Sequence, residues 1–137
     1  MLKTPINYFF LILSIIFLCS CSSYQSTRES KNMTALHLDK DYLEAYRIMN
    51  ETLLNQCHFS AESVLTTVLP DIQTARITNS NSNVIAFSVD FIKSSGGGTD
   101  MNVYSSHSNF EWIALNMQKA INEDIKKCYW SMPKNQK

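Results

Sequence analysis

The chain has 137 residues, 12 basic and 12 acidic, with a formal net charge of zero. That balance excludes the basic footprint of a nucleic-acid binder. Hydrophobic residues at 45%, charged residues at 18%, three Gly and three Pro exclude a disordered or linker-rich chain and point to one core.

The N-terminus opens with a single positive residue, Lys3, and then runs apolar from Tyr8 to Cys19 (YFFLILSIIFLC). Those twelve residues would span about 18 Å as helix, against about 30 Å of hydrocarbon. The run is short for a membrane span and has the size of a secretory apolar region. Small and polar residues follow: Leu18-Cys19-Ser20-Cys21-Ser22-Ser23.

This stretch resembles the lipobox of bacterial lipoproteins, a Leu and two small residues before a Cys. Leu18 and Ser20 fit it, and Cys19 is a less usual small residue. The resemblance implies a diacylglyceryl thioether on Cys21 and cleavage by signal peptidase II between Ser20 and Cys21. The new amino group is then open to acylation with a chain such as palmitate. Acyl chains at about 0.8 kcal/mol per buried CH₂ would hold the protein on a bilayer. An uncleaved anchor or a signal peptidase I site are the alternatives. Ser22, where an Asp retains many Gram-negative lipoproteins in the inner membrane, implies the outer membrane, facing the periplasm.

Removing residues 1–20 takes one Lys, leaving 11 basic against 12 acidic residues and a charge of −1. Residues 21–38 are polar, with no apolar period, and read as a lipidated tether. Residues 39–132 read as one domain and residues 133–137 as a tail. With Cys19 in the signal peptide and Cys21 lipidated, Cys57 and Cys128 remain, and an oxidising compartment predicts a disulfide between them.

Asp41 is a helix N-cap candidate, with Glu44 at the capping-box position. Tyr42, Tyr46, Met49, Leu53 and Cys57 then form a helical stripe that Leu43 and Leu54 widen. Residues 60–69 (SAESVLTTVL) are ambiguous between helical spacing and β-branched content. They lean towards an irregular or extended lead into a sheet, ended by Pro70.

Alternation then predicts three strands. Residues 72–78 place Ala75 and Ile77 on one side and Thr74, Arg76 and Thr78 on the other. A polar turn at 79–83 leads to 84–92, with Ile85, Phe87, Val89 and Phe91 facing the core and Ser88 and Asp90 facing water. The SSGGG loop at 94–98 leads to 99–105, with Met101 and Val103 opposed to Asp100, Asn102 and Tyr104. Ser108 and Glu111 make a second capping box before a helix carrying Phe110, Ile113, Met117, Ala120, Ile121 and Cys128. Ala114 and Ile125 broaden its stripe, and Lys126 and Lys127 would favour its C-terminal dipole.

The expected fold is α+β, α-β-β-β-α: a three-stranded antiparallel meander with two helices on one face and a Cys ending each helix. It is similar to small single-domain envelope lipoproteins of uncharacterised function.

Motifs for chemistry are sparse. Gly96-Gly97-Gly98 has neither the spacing nor the following Lys-Ser/Thr of a phosphate loop. No G-x-S-x-G is present, and Glu123-Asp124 are neighbours on a helix, facing different ways. His107 and Asp100 have Ser105 or Ser106 near them in sequence, but nothing positions such a set. His58 beside Cys57 is the best metal candidate, with surface placement the simpler reading; His37 and His107 lack partner spacing. The expectation is no enzyme, no metal and no cofactor. Trp112, Tyr104 and Trp130 are candidates for a partner surface, although for Trp112 and Leu115 covering a sheet edge is the first reading and a partner surface the alternative. Two functional readings follow. One is a non-catalytic lipoprotein, bound to the membrane through lipid on Cys21, that docks on an envelope protein. The other is a periplasmic binder, inhibitor or sensor of a small ligand, a cell-wall fragment or a foreign enzyme.

Overall fold

The computed structural model describes residues 33–79, 87–105 and 110–134. They form an α+β fold with one antiparallel sheet of five strands and two helices. The strands are β1 (Met33–Leu38), β2 (Val64–Leu69), β3 (Thr74–Asn79), β4 (Phe87–Lys93) and β5 (Thr99–Ser105), in spatial order β1-β5-β4-β3-β2. Helix α1 (Tyr42–Asn55) carries the chain from one sheet edge to the other, and α2 (Glu111–Asn122) follows β5.

The predicted meander is β3-β4-β5, and each of its flanks carries one strand more than expected. Leu36 and Leu38, assigned to the tether, belong to β1, which pairs with β5 through Leu36↔Met101 and Leu38↔Thr99. Residues 64–69, left irregular or extended, form β2 against β3, with Leu65↔Thr78 and Thr67↔Arg76. Among the described residues, both are edge strands with one partner each.

The registers divide the strand residues between two faces. Val89 lies between Ile77 and Val103, and Phe91 between Ala75 and Met101, so these six point to the same side. On that side α1 packs over β3 and β4, and α2 over β1. Phe87, Val89, Phe91, Ile77 and Met101 are fully buried there with Met49, Leu53, Ile113, Met117 and Ile121.

Asp41 caps α1 by accepting from the Leu43 amide at 3.0 Å, as expected. Glu44 accepts from Lys40 Nζ at 3.3 Å. The buried residues of α1 are Tyr42, Ala45, Met49, Thr52 and Leu53. Leu43 is exposed, because it falls on the side of the helix away from the sheet, and Tyr46 and Leu54 lie at its margin. Ser108 is outside the described residues, and α2 starts after Phe110 without a side-chain cap bond.

Helix α2 stops at Asn122, short of Cys128. Asp124 adopts a left-handed backbone (φ 53°), and the Ile125 amide donates to the Ala120 carbonyl at 2.9 Å. This is a helix-terminating motif in which the left-handed residue is an Asp, one of the few side chains that tolerates it. Lys126 and Lys127 therefore lie beyond the helix, and Lys119 is the basic residue of its last turn. Cys57 likewise follows α1 rather than ending it.

A disulfide joins Cys57 and Cys128, 71 positions apart, with Cα atoms 4.8 Å apart. Phe59 and Trp130 each stand two residues past a bridged Cys, and their ring centroids are 5.5 Å apart. Both rings pack on Phe87, at 6.4 and 5.7 Å, and Phe110 adds a fourth ring at 5.6 Å from Phe87.

Gly98 is required by the β4–β5 turn. Its φ is +70°, and a Cβ there would overlap the Leu38 carbonyl oxygen and press on the His37 ring.

Phe87→Ala should lower unfolding stability by about 3–5 kcal/mol, by removing the ring on which this cluster packs. Lys93→Ala, at the exposed end of the same strand, should stay within about 0.5 kcal/mol. Denaturant titration of both variants checks the pair. Replacing both Cys57 and Cys128 by Ser should cost about 4 kcal/mol, the chain-entropy value for a loop of about 70 residues. Thermal melting of that variant should show the loss, and reduction of the native chain should reproduce it.

Candidate functional site

The sheet face opposite the helices carries Thr78, Arg76 and Thr74 from β3, Ser88, Asp90 and Ile92 from β4, and Tyr104, Asn102 and Asp100 from β5. At the two edges it carries Ala35 and His37 from β1, and Leu65, Thr67 and Leu69 from β2. Over the described residues the expected alternation of β3, β4 and β5 is therefore correct; Ile85 lies outside them. The expected wetness of Ser88 and Asp90 is not: they are 2% and 4% exposed. They are short side chains on the central strand, with the longer Arg76 and Tyr104 at cross-strand positions beside them.

Burying a carboxylate is costly unless it is paired. Asp90 is paired across the β3–β4 ladder: Arg76 Nε donates to Oδ1 at 2.6 Å, and the second Arg76 nitrogen approaches Oδ2 at 3.5 Å. One step along, the Thr78 and Ser88 hydroxyls are 3.0 Å apart and share a hydrogen bond. The two contacts make a short polar row across β3 and β4, flanked by Tyr104 and Asn102.

Near β1, His37 Nδ1 lies 3.2 Å from Asp100 Oδ1, with both side chains about half exposed. They border an open depression of ≈ 490 Å³ lined also by Ala35, Ile92 and Asn102. A second hollow, of ≈ 190 Å³, lies between the end of α1 and residues 124–126, lined by Glu51, Thr52, Asn55, Gln56 and Lys126 among others. Under the bridge, Tyr129 is fully buried beside Thr52, and burial pushes its phenol pKa well above the ordinary value, with Thr52 opposing the shift. Its hydroxyl has no hydrogen bond of normal geometry among the described residues.

The sequence candidates do not converge. Trp130 is half-buried in the aromatic cluster around Phe87. Trp112 is half-buried on α2, with Lys134 Nζ 5.3 Å from its ring centre. Tyr104 stands on the opposite side of the sheet, among the polar row. Tyr104 is therefore across the sheet from the two tryptophans, and the three do not share one face. Asp100 and Ser105 face opposite sides of β5, and Ser105 is buried. His58 is exposed in a left-handed turn after α1. Glu123 and Asp124 are both exposed where α2 ends. Cys21, Ser22, Ser106 and His107 lie outside the described residues. Among the described residues, no three His, Cys, Asp or Glu side chains group closely enough to hold a metal, and no helix is long and apolar enough to cross a membrane.

Two features were not anticipated. The Arg76–Asp90 pair needed the register of β3 on β4, although both residues sat at the polar positions of alternating runs. The apolar edge of β2 needed the strand itself: Leu65 is 53% exposed, Val68 and Leu69 are also exposed, and Ile72, in the turn after it, is 64% exposed.

No protein-family model matches the chain, and no curated protein or solved structure shows significant similarity to it.

Arg76→Met should cost about 1.5–3 kcal/mol, because it removes a charge-assisted hydrogen bond and leaves a buried carboxylate short of its cation. Urea denaturation of the variant, and of Arg76→Met with Asp90→Asn, measures the coupling. The double variant should lose less than the two single losses added together.

Proposed function

We propose that this chain is a membrane-anchored lipoprotein of the bacterial envelope, held through lipid on Cys21 and acting by non-catalytic docking on another protein. The observation that carries the reading is the apolar run 8–19 leading into Leu18-Cys19-Ser20-Cys21. The Cys57–Cys128 disulfide supports it, because such bonds persist in oxidising compartments such as the periplasm. Ser22 favours the outer membrane.

The domain's surface is consistent with docking rather than chemistry. Its polar groups are held in pairs across the sheet, Arg76 with Asp90 and Thr78 with Ser88, and its exposed apolar side chains gather along β2. Among the described residues, β1 and β2 each lack a neighbour on their outer edge and present backbone groups to a partner.

Cys21→Ala should abolish metabolic palmitate labelling and leave a longer, uncleaved chain in the membrane fraction. Full labelling of that variant would refute the anchor. Crosslinking in intact cells, followed by mass spectrometry of the adducts, tests the docking role; a recurrent protein adduct is the expected result.

A further inference from the structure

Strand edges left open are usually guarded by a charge, a proline or a bulge. Strand β2 reads Val64-Leu65-Thr66-Thr67-Val68-Leu69 and has no charge and no proline. It pairs with β3 on one side and, among the described residues, ends the sheet on the other. Six large apolar residues are exposed among the described ones, and four of them, Leu65, Val68, Leu69 and Ile72, fall in or just after this strand. The opposite end of the sheet is β1, four interstrand spacings or about 19 Å away.

We propose that the β2 edge pairs with the β2 edge of a second copy of this chain, antiparallel, about a two-fold axis through Thr67. The choice of occupant rests on the strand's self-complementarity. In an antiparallel pair, directly opposed residues share a face, so a two-fold axis normal to the sheet must pass through a residue. An axis at Thr67 sets Leu65 opposite the partner's Leu69, and Leu69 opposite the partner's Leu65, all on the face away from the helices. Thr67 meets the partner's Thr67 between them. An axis at Thr66 would instead set Leu65 against a threonine and leave the leucines in water. No like charges meet within the strand in either register. The product is a continuous sheet of ten strands, five from each copy.

A six-residue strand pair is small against the roughly 800 Å² per partner of a standard interface. The dimer is therefore weak in dilute solution. Only its strength rests on the lipoprotein reading, since two copies anchored in one membrane have a high effective concentration.

Cysteine crosslinking of the full chain in its membrane tests the register. Directly opposed side chains have Cβ atoms about 4.5–5.5 Å apart, whereas the two Thr66 positions sit on a diagonal of about 7–8 Å, beyond the reach of a disulfide. Thr67→Cys under mild oxidation should give a dimer on a non-reducing gel, with the link mapped to position 67 of both chains. Thr66→Cys should give no more dimer than the unsubstituted chain, which sets the background. Adding Leu65→Lys to Thr67→Cys should abolish the dimer without moving the melting temperature, because Leu65 is exposed. Equal crosslinking at the two positions, preference for Thr66, no dimer at all, or a link only to a different protein would overturn the proposal. Palmitate labelling of the same samples reports on the anchor separately. A Thr67-selective dimer in an unlabelled chain would keep the strand pairing and sink the lipoprotein reading.

Discussion

Phe87, Val89 and Phe91 make the contact on which the remaining structure depends. They stand on the central strand, wholly buried, and every other layer of the core is placed relative to them. Ile77, Val103 and Met101 flank them in the sheet, and α1 and α2 close over the same side. Because both helices lie on that side, the other side of β4 lacks their cover and has to use polar chemistry. Ser88 and Asp90 are small enough to be shielded by the neighbouring strands, and each has a partner one strand away on β3. The central strand is thus buried on both faces by different means: apolar packing on one and hydrogen bonding on the other.

The disulfide and the aromatic cluster act together. Neither Cys57 nor Cys128 lies within a helix, so neither segment is held by regular backbone hydrogen bonding. The bridge brings them side by side, and the rings two positions further on, Phe59 and Trp130, meet over Phe87. The covalent link therefore positions apolar surface as well as limiting the unfolded chain. Tyr129, between Cys128 and Trp130, is drawn fully inside by the same geometry.

The parts of this fold that the sequence made legible are those where one side chain in two, or about two in seven, meets the core. Strands β3, β4 and β5 alternate plainly, and α1 and α2 carry full stripes. The edge strands escaped for a physical reason. Strand β1 buries only Leu38 fully, and β2 only Val64, so neither shows a strong period. Their existence depends on pairing with residues 60 or more positions away in the case of β1, and on an uncovered edge of β3 in the case of β2. The end of α2 was misplaced because Asp124 resembles an ordinary helix-surface residue until its left-handed backbone is seen. Of the surface features, the Arg76–Asp90 pair required a register, and the exposure of Leu65 required knowing which elements stop short of it. Trp112, Tyr104 and Trp130 are distinguished in the sequence by residue type alone, and the sheet separates Tyr104 from the two tryptophans.

The bridge also governs how the domain bears tension. A chain held at both ends would lengthen only outside the segment between Cys57 and Cys128. The 71 positions inside that covalent loop correspond to about 240 Å of extended chain that a pull cannot draw out. Force entering through residues 21–32 meets β1 first, then α1, and then passes across the sulfur bridge towards the C-terminus. Strands β2 to β5 sit within the bypassed loop, so the four-stranded meander is mechanically sheltered. Among the described residues, the N-terminal strand, the first helix and the short stretch after Cys128 can yield, a compliant lead and tail around a locked body.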